Sequence, residues 1–221
     1  MGTLTLQGST SGQITIAPPA VAGTNTLTLP AATDTVTTNA ATQTLTNKTL
    51  TSPNIGGTPV MNASVITSGT SQASTSGTSI DFTSIPSWVK RITIMLYGVS
   101  TSGTANVTFQ LGTGATPTYT TSGYLGTAVS TSTATPTATQ MSSGWFVNAA
   151  NAAEVRHGSL VLTNISGNIW VGSGVFGSSN TNFGQFVGGS VSLSGVLTAV
   201  RITTSNGTDT FDAGSINIMW E

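Results

Sequence analysis

The chain has no cysteine, one histidine and very little charge: among 221 residues, five are Lys or Arg and six are Asp or Glu. Without cysteine there are no disulfides and no thiolate ligands, and a single His leaves no ordinary zinc site. Charged residues make up 5% of the chain, against about a quarter in an average soluble domain. The basic residues Lys48, Lys90, Arg91, Arg156 and Arg201 are scattered, and the net charge is -1. Nucleic acid calls for clustered Lys and Arg, so the expectation is no nucleic-acid partner. No apolar run approaches the ~20 residues of a membrane helix. The first residues lack the basic start and apolar core of a signal peptide. No membrane insertion and synthesis in a cytoplasm are therefore expected. Aromatics are also sparse, at 6%.

What the chain has in abundance is hydroxyl groups. About a third of it is Ser or Thr, with 26 Gly besides. Such a composition suits disorder, but the mean hydropathy of +0.19 opposes that. The apolar residues recur in short alternating runs, beginning with Thr3-Leu4-Thr5-Leu6 and returning at Thr26-Leu27-Thr28-Leu29, Thr44-Leu45-Thr46 and Thr49-Leu50-Thr51. Strict alternation is the period of a half-buried strand, and β-branched Thr suits a pleated backbone. Segments this short cannot cover their own leucines. The sequence thus predicts a homotrimer in which Leu27, Leu29, Leu45 and Leu50 pack around a three-fold axis and close the strand edges.

The expected fold is all-β: an extended N-terminal β segment forming a trimeric stalk or anchor, then a jelly-roll-like β-sandwich. The boundaries read as 1–66 for the anchor, 67–79 for a Gly/Ser/Thr linker and 80–221 for the sandwich. Strands are predicted at 89–99, 106–111, 159–163, 168–171, 190–193, 197–203 and 215–220, a pattern of short strands that suggests a sandwich. Asn206-Gly207 is a favoured hairpin pair and is expected to join the last two strands. A short helical turn is expected within 145–156.

Candidate chemistry is thin. Gly172-Ser173-Gly174-Val175-Phe176-Gly177 fits the dinucleotide spacing, but loop-like residues follow it in place of a helix, so it reads as a glycine-rich loop. His157 near Glu154 and Arg156 offers a base with an orienting carboxylate, against a local ion pair beside a hydrogen-bonded imidazole. Asp209 and Asp212 offer a Ca²⁺ site or a glycosidase pair, against carboxylates that cap a turn. Trp170 and Trp220 fall in alternating strands and read as core or subunit contact. Tyr119 and Tyr124, in Gly/Thr-rich stretches, are expected to be exposed and are the candidate ligand-binding aromatics. No catalytic residue, metal or cofactor is assigned.

The run Thr44 to Pro53, TLTNKTLTSP, resembles a module of tailed-bacteriophage fibre proteins. The stretch Ala20 to Pro30 is similar to the segment that accompanies it, and Val155 to Gly158 and Arg201 to Glu221 resemble terminal domains of such fibres. The resemblance implies a non-enzymatic virion structural protein. It would be a homotrimeric tail or head fibre at the virion surface, held by other virion proteins through residues 1–66. Apart from the resemblance, the low charge and abundant hydroxyls and amides of the C-terminal domain suit attachment to host surface glycan. Capsid decoration with a stabilising role is the alternative, and a small polysaccharide depolymerase is the enzymatic one.

Overall fold

The computed structural model describes residues 4–16, 49, 51, 66–131, 135–148 and 151–221, and no helix occurs among them. The chain divides into two compact units, Met1–Pro59 and Val60–Glu221. In the first, β1 (Leu4–Gln7) and β2 (Gln13–Ile16) form an antiparallel hairpin with Leu4 opposite Ile16. Its turn is closed by the Gly8 amide donating to the Gly12 carbonyl at 2.9 Å. The first Thr-Leu pulse is therefore a strand, as its alternation predicts. Its apolar side chains stay uncovered: Leu4 is 56% exposed, Leu6 51% and Ile16 49%. The later pulses, with Leu27, Leu29, Leu45 and Leu50, lie outside the described residues.

The second unit contains β3 (Thr67–Ser68), β4 (Gln72–Ala73), β5 (Ser79–Phe82), β6 (Arg91–Thr101), β7 (Val107–Thr113), β8 (Thr118–Tyr119) and β9 (Leu125–Thr131). There follow β10 (Thr137–Gln140), β11 (Trp145–Val147), β12 (Arg156–Ser166), β13 (Ile169–Ser178), β14 (Gly184–Ser192), β15 (Leu197–Thr204) and β16 (Phe211–Trp220). A nine-stranded sheet runs β10-β9-β14-β13-β12-β6-β16-β3, with β4 also on β16. A five-stranded sheet runs β11-β7-β15-β5, with β8 on β7. Every pairing is antiparallel, and β12, β13 and β14 form a meander. The two sheets share one core, in which Ile94, Leu160, Trp170 and Ile216 of the large sheet join Phe109, Leu111, Val200 and Ile202 of the small one. The fold is all-β and sandwich-like.

Alternation explains most of these elements. In β6, Ile92, Ile94 and Leu96 are buried while Arg91 and Tyr97 are exposed. Four local expectations need correction. Residues 67–79 are not a free linker: β3 and β4 pair with β16, and the Ser74 hydroxyl, fully buried, donates to the Ala213 carbonyl at 2.8 Å. Polar composition hid this, because an edge strand satisfies its backbone through its partner and needs few apolar side chains. Asn206-Gly207 does turn the chain, with the Gly207 amide donating to the Thr204 carbonyl, but β15 and β16 lie in different sheets. Only Gly207 has positive φ there, at 68°, so this is not the two-residue hairpin turn that needs both residues left-handed. The segment 145–156 holds strand β11, not a helical turn, in its described residues. The Gly172–Gly177 run lies inside β13, neither a phosphate loop nor a loop of any kind.

Those strand glycines serve the core. A Cβ at Gly172 would come within 2.7 Å of the Trp145 ring and 2.8 Å of Leu162, and one at Gly189 within 2.6 Å of the Leu125 carbonyl and 3.2 Å of the indole. Trp145, fully buried, lies on this bare stretch of the large sheet and so locks β11 of the small sheet onto it.

Candidate functional site

Asp81, Arg201 and Gln110 share one row across the small sheet, since Asp81 of β5 faces Arg201 of β15, and Arg201 faces Gln110 of β7. The Arg201 guanidinium donates twice to the Asp81 carboxylate, from Nε to Oδ1 at 2.8 Å and from Nη2 to Oδ2 at 2.7 Å. Both side chains are about a third exposed. Tyr119, brought by β8 beside β7, lies against the guanidinium with its ring centroid 3.9 Å from Cζ, a cation–π distance. The ring fits because Gly112 is beneath it; a Cβ there would approach within 2.9 Å. The Tyr119 hydroxyl is buried and has no hydrogen-bond partner of ordinary geometry. Burial, with the Asp81 charge adding to it and Arg201 opposing, pushes this phenol up to about 12. The hydrogen bond to Asp81 holds the Arg201 guanidinium above its usual value.

The ion pair at the centre of this cluster is internally satisfied, while the Tyr119 hydroxyl is not. Asp81 has both oxygens engaged, so it is poorly placed to act as a base. What it offers a ligand is a rigid, partly exposed plane of guanidinium and phenol, suited to a neutral polar molecule. Nearby, a groove of about 410 Å³ runs between Gly69, Gln72, Asp81, Thr83 and the Trp220 ring. The buried Trp220 indole N–H has no partner, and the Gln72 amide donates to the Asp81 carbonyl at 2.9 Å.

Tyr124 is a correction. It is 2% exposed, its hydroxyl accepts from the Leu111 amide at 2.9 Å, and its ring meets Trp145 edge-on at 5.1 Å. Burial pushes its phenol up to about 12, against the lowering effect of the Leu111 amide. It is a core residue, not a surface aromatic. The Gly/Thr-rich context was misleading because Gly123, at φ 78°, turns the chain so that the Tyr124 amide bonds the Ser142 carbonyl.

The other candidates separate. Glu154 and Arg156 are fully buried and pair at 3.8 Å. Arg156 also donates from Nε to the Asn148 carbonyl and from Nη1 to the Glu154 carbonyl, both at 3.2 Å, while the Thr181 hydroxyl donates to Glu154 at 2.8 Å. Burial lowers the Arg156 pKa, with Glu154 and Asp212 opposing. His157 points elsewhere: its Nδ1 accepts from the Gly98 amide at 3.3 Å, and its ring meets Tyr97 edge-on at 5.5 Å. The ion pair and the bonded imidazole are thus both present, and the base–carboxylate pair is not formed. Asp209 accepts from the Ala105 amide at 2.9 Å, and the Asn206 side chain together with that amide holds its carboxyl below the usual range. Asp212 accepts from the Ser100 hydroxyl instead. Among the described residues, only Asp209 takes a backbone amide as the turn-capping expectation requires; Asp212 is held by a side-chain hydroxyl of β6, and no three His, Asp or Glu side chains converge. Trp170 is core, at 3% exposure, and Trp220 packs at its margin.

Sequence reasoning names Asp81 only among the carboxylates a depolymerase could draw on, and misses its pairing with Arg201. Each shows only as a charged residue at an outward position of an alternating run, and their meeting depends on register between strands 120 positions apart. Comparison with family models, with curated proteins and with solved structures finds no match to the chain.

Proposed function

We propose that the chain is a non-enzymatic structural protein of a tailed-bacteriophage particle: a trimeric surface fibre, anchored through its N-terminal segment and displaying the β-domain outward. The observation that carries this reading is the β1–β2 hairpin, whose Leu4, Leu6 and Ile16 are about half exposed. A lone two-stranded hairpin is marginal in water, and its apolar face asks for like segments to pack against. Burying a Leu side chain contributes roughly 1.5–3 kcal/mol, so three copies sharing several such residues gain enough to hold together. The likeness of Thr44–Pro53 to a fibre module gives that assembly its place, on a phage particle.

The displayed domain carries hydroxyls, amides and few charges, which suits host surface glycan, with three copies raising a modest affinity through effective concentration. The Tyr119–Arg201 plane is the residue-level candidate for that contact. Removal of residues 1–65 is expected to abolish incorporation into particles, and truncated protein that still incorporates overturns the anchor. Copy number per particle then separates a tail fibre from a head fibre or capsid decoration, since each follows the symmetry of its site. Tyr119→Ala is expected to weaken binding of the trimer to host cells, and wild-type binding is expected to change little between low and physiological salt. Steep salt dependence contradicts the neutral-glycan contact.

A further inference from the structure

The large sheet ends with β3 and β4 on β16, and the small sheet ends with β5. The groove of about 410 Å³ beside Asp81 and Trp220 lies between these edges, within the ~300–1,000 Å³ of small-molecule sites. Part of its lining is apolar: Phe82 and Ile218, both buried, and the Trp220 ring. The rest is polar. Thr70 stands on the β3 side and Thr83 on the β5 side, both exposed, and the Asp81 side chain is about a third exposed. Arg201 fixes that carboxylate with two hydrogen bonds, which use half of the about four acceptor positions a carboxylate offers. Next to Thr83, Ser84 has a φ of 61° and is the one non-glycine residue with positive φ among the described residues. Backbone strain of this kind persists only where the surroundings impose it, and it gathers at ligand sites. Here it accompanies a break in alternation that sends Ile85 into the core and leaves Thr83 outside.

We propose that this groove seats one ring of a neutral sugar, a pyranose that carries neither carboxylate nor phosphate. The proposal rests on the reading of the β-domain as a glycan-binding one, and adds the place of contact and the sugars it selects. A pyranose joins an apolar ring face to a border of hydroxyls, which matches a lining of Phe82, Ile218 and Trp220 flanked by Thr70, Thr83 and Asp81. The two acceptor positions that Asp81 keeps suit two neighbouring O–H groups, so a vicinal diol is the expected point of contact. Charge sets the selectivity. Asp81 and Arg201 cancel, and every other lining residue is uncharged, so nothing remains to attract an anion. A uronate carboxylate would instead meet that of Asp81, a like-charge contact that rejects it. The rival occupant is a peptide added as a strand to β5. The groove suits it less, because the Gln72 amide already donates to the Asp81 carbonyl at 2.9 Å and takes that ladder position.

Saturation-transfer NMR on the full-length protein tests this, with methyl hexosides, a methyl glucuronide and a Ser/Thr peptide as probes. At least one neutral hexoside is expected to bind, and the glucuronide at least roughly tenfold more weakly. Thr83→Trp and Thr70→Trp fill the groove from its two sides, and each is expected to weaken hexoside binding at least roughly tenfold. Thr208→Trp, at an exposed position outside the groove, is expected to leave it unchanged. Near-ultraviolet circular dichroism checks the fold of each variant, and either groove variant suffices. A hexoside that binds both groove variants as it binds wild type overturns the site. So does a glucuronide bound as tightly as the hexoside, or the peptide bound in place of any hexoside. Absence of all hexoside binding overturns it too. Host-cell binding that persists in that case leaves glycan attachment standing elsewhere on the domain, and its absence removes both.

Discussion

At the scale of single residues, Tyr124 sets an alkaline limit on the domain. Its phenol lies between Trp145 and the Leu111 amide, and its pKa rises from 10.0 to about 12. The neutral form is thus the one the fold favours. Stability is full below pH 10 and declines as pH rises through about 12, by about 2–3 kcal/mol for this group. Tyr119 adds to the loss in the same window. Tyr124→Phe is expected to cost ~1–2 kcal/mol at neutral pH, because the buried Leu111 amide loses its acceptor, and to lose less than wild type between pH 10 and 12. Urea unfolding at neutral and alkaline pH measures both. Gly172→Ala is the complementary case, since a Cβ 2.7 Å from Trp145 overfills a closed core. It is expected to cost ~1–3 kcal/mol, read by the same method. Neither site was legible in the sequence: Tyr124 sits among residues that suggest a loop, and nothing local reveals that Trp145 rests on Gly172.

At the scale of elements, legibility followed periodicity. The strands β6, β7, β12, β15 and β16 show in the sequence because their apolar residues alternate against one core. Strands β3 and β4 do not, because their order comes from hydrogen bonds to β16 and not from side chains of their own. The same limit applies to the Asn206-Gly207 turn, whose type is local but whose destination sheet is decided by packing elsewhere. The ion pair of Glu154 and Arg156 shows what this packing demands of polar groups. Arg156 reaches the Asn148 and Glu154 carbonyls, and so ties the approach to β12 onto the end of β11. Arg156→Ala leaves a buried carboxylate without its cation and is expected to cost ~3–5 kcal/mol. Chemical denaturation gives the magnitude, and faster proteolytic cleavage within 148–155 is the expected local sign. Unchanged stability contradicts the role given to this pair.

At the scale of the whole molecule, the proposed assembly would account together for the scarcity of charge and the exposure of apolar side chains. The Thr-Leu alternation is what raises that proposal, and Leu4, Leu6 and Ile16 present an uncovered face in the described hairpin. Nothing in the sequence hints that the exposed Val175, Phe186 and Leu125 share one face of the large sheet, because they come from three strands that only the sheet order sets side by side. Leu4→Ser combined with Leu6→Ser is expected to shift the assembly toward smaller species on dilution, with the β-domain still folded. The most direct test of the account is the mass of the full-length protein in solution across a dilution series. The account predicts a species three times the 22.2 kDa chain mass that persists on dilution. A folded species of 22.2 kDa at every concentration would contradict it.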